Sequence, residues 1–102
     1  MLITTINMNY LLNYGFSTNE IAAIEKNNIT LLGIAIEEQE NVIKNIEYFK
    51  SLEININFYI LNRFLSLFTQ DNEEIIKKVE NIGVDKFAND AKEYEDAFEL
   101  LY

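Results

Sequence analysis

Proline is absent from this chain and glycine occurs three times, at Gly15, Gly33 and Gly83. A helix started here therefore runs until a glycine or a capping residue stops it. Between those stops the apolar residues return every three or four positions. The combination predicts an all-α fold of about five or six short helices, arranged as a solenoid-like helical-repeat array or a compact bundle.

Asn7 to Tyr14 carries Met8, Leu11 and Leu12 at helical spacing and ends at Gly15. Ser17-Thr18-Asn19-Glu20 reads as a capping box, in which the serine hydroxyl takes the third amide of the helix and the glutamate reaches back to the serine amide. The helix it opens presents Ile21 and Ile24, ends near Asn27-Asn28, and leads into a turn at Ile29 to Gly33. From Glu37, the residues Val42, Ile43, Ile46, Phe49 and Leu52 follow the 3.6-residue period, with acids in the first turn where the helix dipole favours them.

Ile54 to Phe68 is apolar almost all round and predicts a central helix. Within it Ile54-Asn55-Ile56-Asn57-Phe58 alternates as a strand would, but runs straight into a helical pattern and is assigned to the helix. Asp71-Asn72-Glu73-Glu74 caps a further helix, with Ile75, Ile76, Val79 and Ile82 inward and Gly83 at its end. Phe87, Ala91, Tyr94, Phe98 and Leu101 then form an apolar seam on an acidic amphipathic helix spanning 85–102. Two heptads are too few for a free-standing coiled coil, so the seam docks on its own domain or on a second copy.

A chain of 102 residues fits a single domain, with the repeat-like pattern over 10–85. No run of eighteen apolar residues exists, and the first residues lack the basic start of a secretory leader, which predicts a cytoplasmic protein with no membrane span. Abundant Ile and Asn beside no Pro, His or Trp suggest an A+T-rich, bacterial genome. Formal charge is −9, from 17 acidic and 8 basic residues. Such a surface repels phosphate, whereas nucleic-acid binders release counterions to Lys and Arg.

Ile46-Glu47-Tyr48-Phe49-Lys50-Ser51-Leu52-Glu53-Ile54 and Ile76-Lys77-Lys78-Val79-Glu80-Asn81-Ile82-Gly83-Val84 lie thirty residues apart and match in apolar residues at four places. Tyr14-Gly15-Phe16 aligns with the closing corners Leu52-Glu53-Ile54 and Ile82-Gly83-Val84. These strings, with the cap at Ser17 to Glu20 and the pair Leu31-Leu32, resemble the helical repeats of the mitochondrial transcription termination factor family over residues 10 to 85. Two features depart from that family: the proline of its turn is missing, with Asn28 or Ile29 in its place, and Glu53 replaces a corner glycine. The resemblance implies a helical solenoid and a concave nucleic-acid groove, near which Arg63, Lys77 and Lys78 are the candidate contacts. Asp71, Glu73, Glu74 and Glu80 stand close in sequence to oppose them.

Without histidine or cysteine, the Ser-His, Cys-His and His- or Cys-ligated metal arrangements are unavailable. Paired carboxylates exist at Glu37, Glu38 and Glu40 and at Asp90, Glu93 and Asp96, but they sit in runs that read as solvated, whereas general acid–base work needs a buried carboxyl. Asp71 to Glu74 lacks the alternating ligands and central glycine of a calcium loop, and no glycine-rich phosphate loop is present. No catalysis, cofactor, metal or small-molecule site is expected.

The function expected is a protein-protein interaction module, acting through a protein partner or self-association. Its candidate surface is Phe58, Tyr59, Phe68, Phe87, Tyr94, Phe98 and Leu101, although core packing competes for the same side chains. The alternatives are nucleic-acid binding, as the resemblance implies, and an acidic decoy that imitates DNA.

Overall fold

The computed structural model describes residues 7–102. Among them every regular element is helical. In chain order these are a 3-10 segment at Asn9–Tyr14, α1 at Thr18–Asn27, a 3-10 turn at Ile29–Leu31, α2 at Leu32–Glu37 and α3 at Gln39–Ser51. They continue with α4 at Phe58–Arg63, α5 at Leu65–Phe68, α6 at Asn72–Ile82, α7 at Val84–Glu93 and a closing 3-10 segment at Glu95–Leu101. The all-α class holds, while the count of five or six is too low, because long predicted helices are broken and connections are themselves helical.

The helix predicted over 54–68 starts late. Asn57 accepts the Ile60 amide through its side chain at 3.0 Å and caps α4 there, an alternative to helix that asparagine offers the backbone. The preceding residues lie outside any helix, with Ile54 and Ile56 buried and Asn55 and Asn57 exposed. A second break falls at Phe64, whose φ of −112° and ψ of 27° separate α4 from α5. The C-terminal helix predicted over 85–102 is also broken: Tyr94 is extended, with φ −135° and ψ 116°. Gly33 does not end a helix but lies inside α2 without a positive φ.

Other local signals act as the sequence implies. Glu20 donates its amide to Ser17 Oγ at 3.1 Å and Ser17 donates its amide to Glu20 Oε1 at 3.0 Å, completing the capping box of α1. Asp71 accepts the Glu74 amide at 3.2 Å at the start of α6. The three aligned corners share a positive φ, 90° at Gly15, 63° at Glu53 and 108° at Gly83. At the second corner the Glu53 amide donates to the Lys50 carbonyl and the Ile54 amide to the Phe49 carbonyl, at 2.9 and 3.0 Å. That pair is the Schellman closure normally given to glycine, here made by a glutamate. The third corner differs, since Gly83 has ψ 117° and its carbonyl accepts the Phe87 amide of the next helix at 2.9 Å.

Helix α1 packs on α4 and the first 3-10 segment; α3 packs on α2, α5 and α6; α6 and α7 pack on each other and on the closing 3-10 segment. At their meeting point Phe49 of α3 lies 5.5 Å from Phe68, 5.9 Å from Phe87 and 5.1 Å from Phe98, ring centre to ring centre. Each buried ring contributes about 1.5–3 kcal/mol by leaving water, and edge-on contacts such as Phe49–Phe98 add about 0.5–1.5 kcal/mol.

Among the described residues one polar side chain lies fully within this core, Asn45 of α3. Its amide donates to the Phe68 carbonyl at 2.9 Å and the Gln70 carbonyl at 3.0 Å, and its oxygen accepts from Asn72 Nδ2 at 2.9 Å. Asn45 thus supplies the donors that the end of α5 lacks and ties α3 to the turn leading into α6.

Candidate functional site

The aromatic residues nominated from sequence divide into two groups. Phe68, Phe87, Phe98 and Leu101 are buried in the core and are withdrawn as partner-contact residues. Phe58 is partly buried, packed edge-on against Tyr59 at 5.3 Å. Tyr59 and Tyr94 project into solvent, 70% and 67% exposed. The seam of α7 and the closing segment is intramolecular: the Phe87 and Phe98 rings meet at 5.6 Å.

The basic residues nominated for nucleic acid are all engaged elsewhere. Arg63 donates to Glu95 at 3.1 Å, to Asp96 at 2.7 Å and to Glu99 at 2.9 Å, so its guanidinium clasps the closing segment. The same group stands 4.7 Å over the Phe64 ring. Asp96 above all, with Glu95 and Glu99, raises the Arg63 pKa further above its ordinary value. Lys78 donates to the Leu101 carbonyl at 2.9 Å and to Gln70 Oε1 at 3.3 Å, and Lys77 pairs with Glu74 at 3.8 Å. Each of the three is thus paired within the molecule, and together they form no free basic stripe. The carboxylates that meet Arg63 come from the C-terminal segment rather than from the start of α6, as charge spacing along the chain had implied.

A concavity of about 540 Å³ runs between the segment before α4 and the end of α7. Glu53, Asn55 and Asn57 form one wall, Lys92, Glu93 and Glu95 the other, with Ile54, Ile60 and Ala91 as its apolar floor. Tyr94, between Glu93 and Glu95 in the chain, is exposed but does not line the groove. Lys92 approaches Glu53 across the groove at 3.8 Å. Smaller hollows border the same segment on its other side, against Tyr14, Ile46 and Lys50 and against Gly15 and Phe16. The open shape and exposed carboxylates of this groove suit a peptide lying along the surface better than a small molecule held inside.

Comparison with known proteins finds no matching family model, no matching curated protein and no matching solved structure. Among the described residues no cluster of acidic side chains is placed to hold a metal ion, and no helix is long and apolar enough to cross a membrane. Sequence reasoning missed the groove residues Glu53, Asn55, Asn57, Lys92, Glu93 and Glu95. The alternation Ile54-Asn55-Ile56-Asn57 carried the signal, since two asparagines exposed beside two buried isoleucines mark an extended edge.

Proposed function

We propose that this chain is a protein-interaction module without catalytic activity, and that it takes a positively charged protein partner on the face formed by the groove, Tyr59 and Tyr94. The observation carrying this reading is the fate of the cations. Arg63, Lys78 and Lys92 are all engaged within the molecule, while three carboxylates, Glu53, Glu93 and Glu95, line the groove beside Lys92, and Asp96 and Glu99 flank Arg63. An acid surplus beside exposed tyrosines attracts lysine and arginine through charge and through the tyrosine ring faces.

The resemblance to termination-factor repeats bears on architecture, through the positive-φ corners at Gly15, Glu53 and Gly83. It lends less to nucleic-acid binding, because the basic residues it nominates are neutralised in place. The DNA-imitating decoy is the special case in which the basic partner itself binds nucleic acid.

The test is affinity capture from the source cells with and without nuclease treatment, using the wild type and a Tyr59→Ala/Tyr94→Ala variant. A stoichiometric basic protein recovered by the wild type and lost with the variant is expected. Recovery of nuclease-sensitive nucleic acid in place of protein overturns the reading. Release of the captured protein by duplex DNA identifies the decoy form.

A further inference from the structure

The segment between the Glu53 corner and α4 lies outside any helix, and its last residue, Asn57, is extended at φ −92° and ψ 179°. Its side chains alternate, Ile54 and Ile56 inward and Asn55 and Asn57 outward. In an extended chain, neighbouring residues turn their N–H and C=O groups to opposite edges. The Ile54 amide is bonded to Phe49 at the end of α3, so the N–H and C=O of Asn55 and the N–H of Asn57 belong to the opposite edge, away from α3. Among the described residues none of these three groups has a hydrogen-bond partner, and neither do the N–H and C=O of Ile56 on the other edge, whereas the Asn57 carbonyl is taken by the Leu61 amide. Asn55 and Asn57 also line the acidic groove. An edge of this kind recruits a further strand where the space beside it is open, and here that space is the groove.

We propose that the groove binds an extended, lysine- or arginine-bearing segment of a partner protein, which pairs its backbone with Asn55 and Asn57 and directs its cations to Glu93 and Glu53. The proposal rests on the protein-interaction reading above and specifies its mode. Charge selects the occupant: Glu95 is held by Arg63 and Glu53 is approached by Lys92, whereas Glu93 has no cation partner among the described residues. Ladder pairing selects its conformation. Residues alternate sides along the incoming strand, so one set of its side chains lies over Ile60 and Ala91 while the other faces solvent.

The probe is a fluorescein-labelled peptide of alternating lysine and valine, titrated into the full ¹⁵N-labelled chain. Two further versions carry N-methyl groups on alternate residues, one blocking each hydrogen-bonding edge. The unmodified peptide is expected to bind, moving and protecting the Asn55 and Asn57 amide resonances and leaving Ile56, on the other edge, unprotected. One N-methylated version is expected to bind about ten-fold more weakly, the loss of one to two backbone bonds, and the other to bind as the parent does. Glu93→Lys, a change at an exposed helix end, is expected to weaken the parent peptide and strengthen a glutamate–valine counterpart. Equal binding by both N-methylated versions, with no protection at Asn55, overturns the paired-strand mode while leaving an acidic interaction face intact. No binding of the lysine peptide, together with failure of partner capture, overturns both.

Discussion

Asn45→Ala tests whether the polar link at the centre of the fold stabilises it. The substitution removes two donors and one acceptor, leaving the Phe68 and Gln70 carbonyls and the Asn72 amide without their partner. Each bond is worth about 0.5–1.5 kcal/mol net, and a polar group left buried without a partner costs about 1–3 kcal/mol. Because Gln70 and Asn72 are only partly buried, water replaces some of the loss, and the total comes to about 4 kcal/mol. A domain of this size is stable by about 5–15 kcal/mol, so the variant loses a large part of the margin and melts roughly 15–30 °C lower. Urea unfolding followed by circular dichroism measures the difference. Asn72→Ala, which removes one bond to Asn45, costs about 1 kcal/mol, and the double variant is non-additive by a comparable amount. An Asn45→Ala protein within about 1 kcal/mol of the wild type, or strict additivity with Asn72→Ala, refutes the account of α3 tied to the α5–α6 turn.

The glycines separate backbone effects from packing. A Cβ at Gly15 or Gly33 meets nothing within 4 Å, so Gly15→Ala, forced to keep a φ of 90°, destabilises by about 1 kcal/mol, while Gly33→Ala, inside α2, stabilises by about 0.5–1 kcal/mol; thermal melts give both signs. Phe98→Ala removes a ring packed on Phe49, Phe64, Phe68 and Phe87 and costs about 3–5 kcal/mol, with an unchanged mass by light scattering because the seam is internal. The Tyr10 hydroxyl donates to the Ala35 carbonyl at 2.8 Å, and burial, then Glu25, raises its pKa from the ordinary 10.0. With the folded value above the unfolded one, this contribution is present below pH 10.0 and is lost as pH rises beyond it; Tyr10→Phe flattens that alkaline fall in urea midpoints measured across the range.

What the sequence disclosed were signals confined to a few adjacent residues. The box at Ser17 and Glu20, the cap at Asp71 and the left-handed corners at Gly15 and Gly83 each depend on neighbours in the chain, and they are found where local chemistry puts them. What it concealed depends on residues far apart. Asn45 on a helix face looks like any surface asparagine until the Phe68 and Gln70 carbonyls arrive from another element. Gly33 looks like a stop, yet α2 runs through it. The groove was half visible: the asparagine–isoleucine alternation signals an extended edge, but it is joined to an apolar run whose helical period dominated the reading. Its other wall, at the end of α7, comes from a segment nearly forty residues away in the chain.

The break at Tyr94 accounts for core and groove together. Had residues 85–102 formed one helix, Phe87 and Phe98 would stand about 16 Å apart along its axis at 1.5 Å per residue. Their ring centres are instead 5.6 Å apart, both packed on Phe49, which requires the chain to turn between them. The extended backbone of Tyr94 makes that turn, and the Ala97 amide bonds back to the Tyr94 carbonyl at 3.1 Å to start the closing segment. Once turned, the segment presents Glu95, Asp96 and Glu99 to Arg63, and Lys78 takes the Leu101 carbonyl. The apolar residues of the seam are thereby drawn into the core, while Tyr94, one of their number by spacing, is expelled beside Glu93 and Glu95. Arg63 and Lys78, two of the three cations nominated for nucleic acid, hold the turn, and Glu93 and Glu95, on either side of Tyr94 in the chain, line the groove.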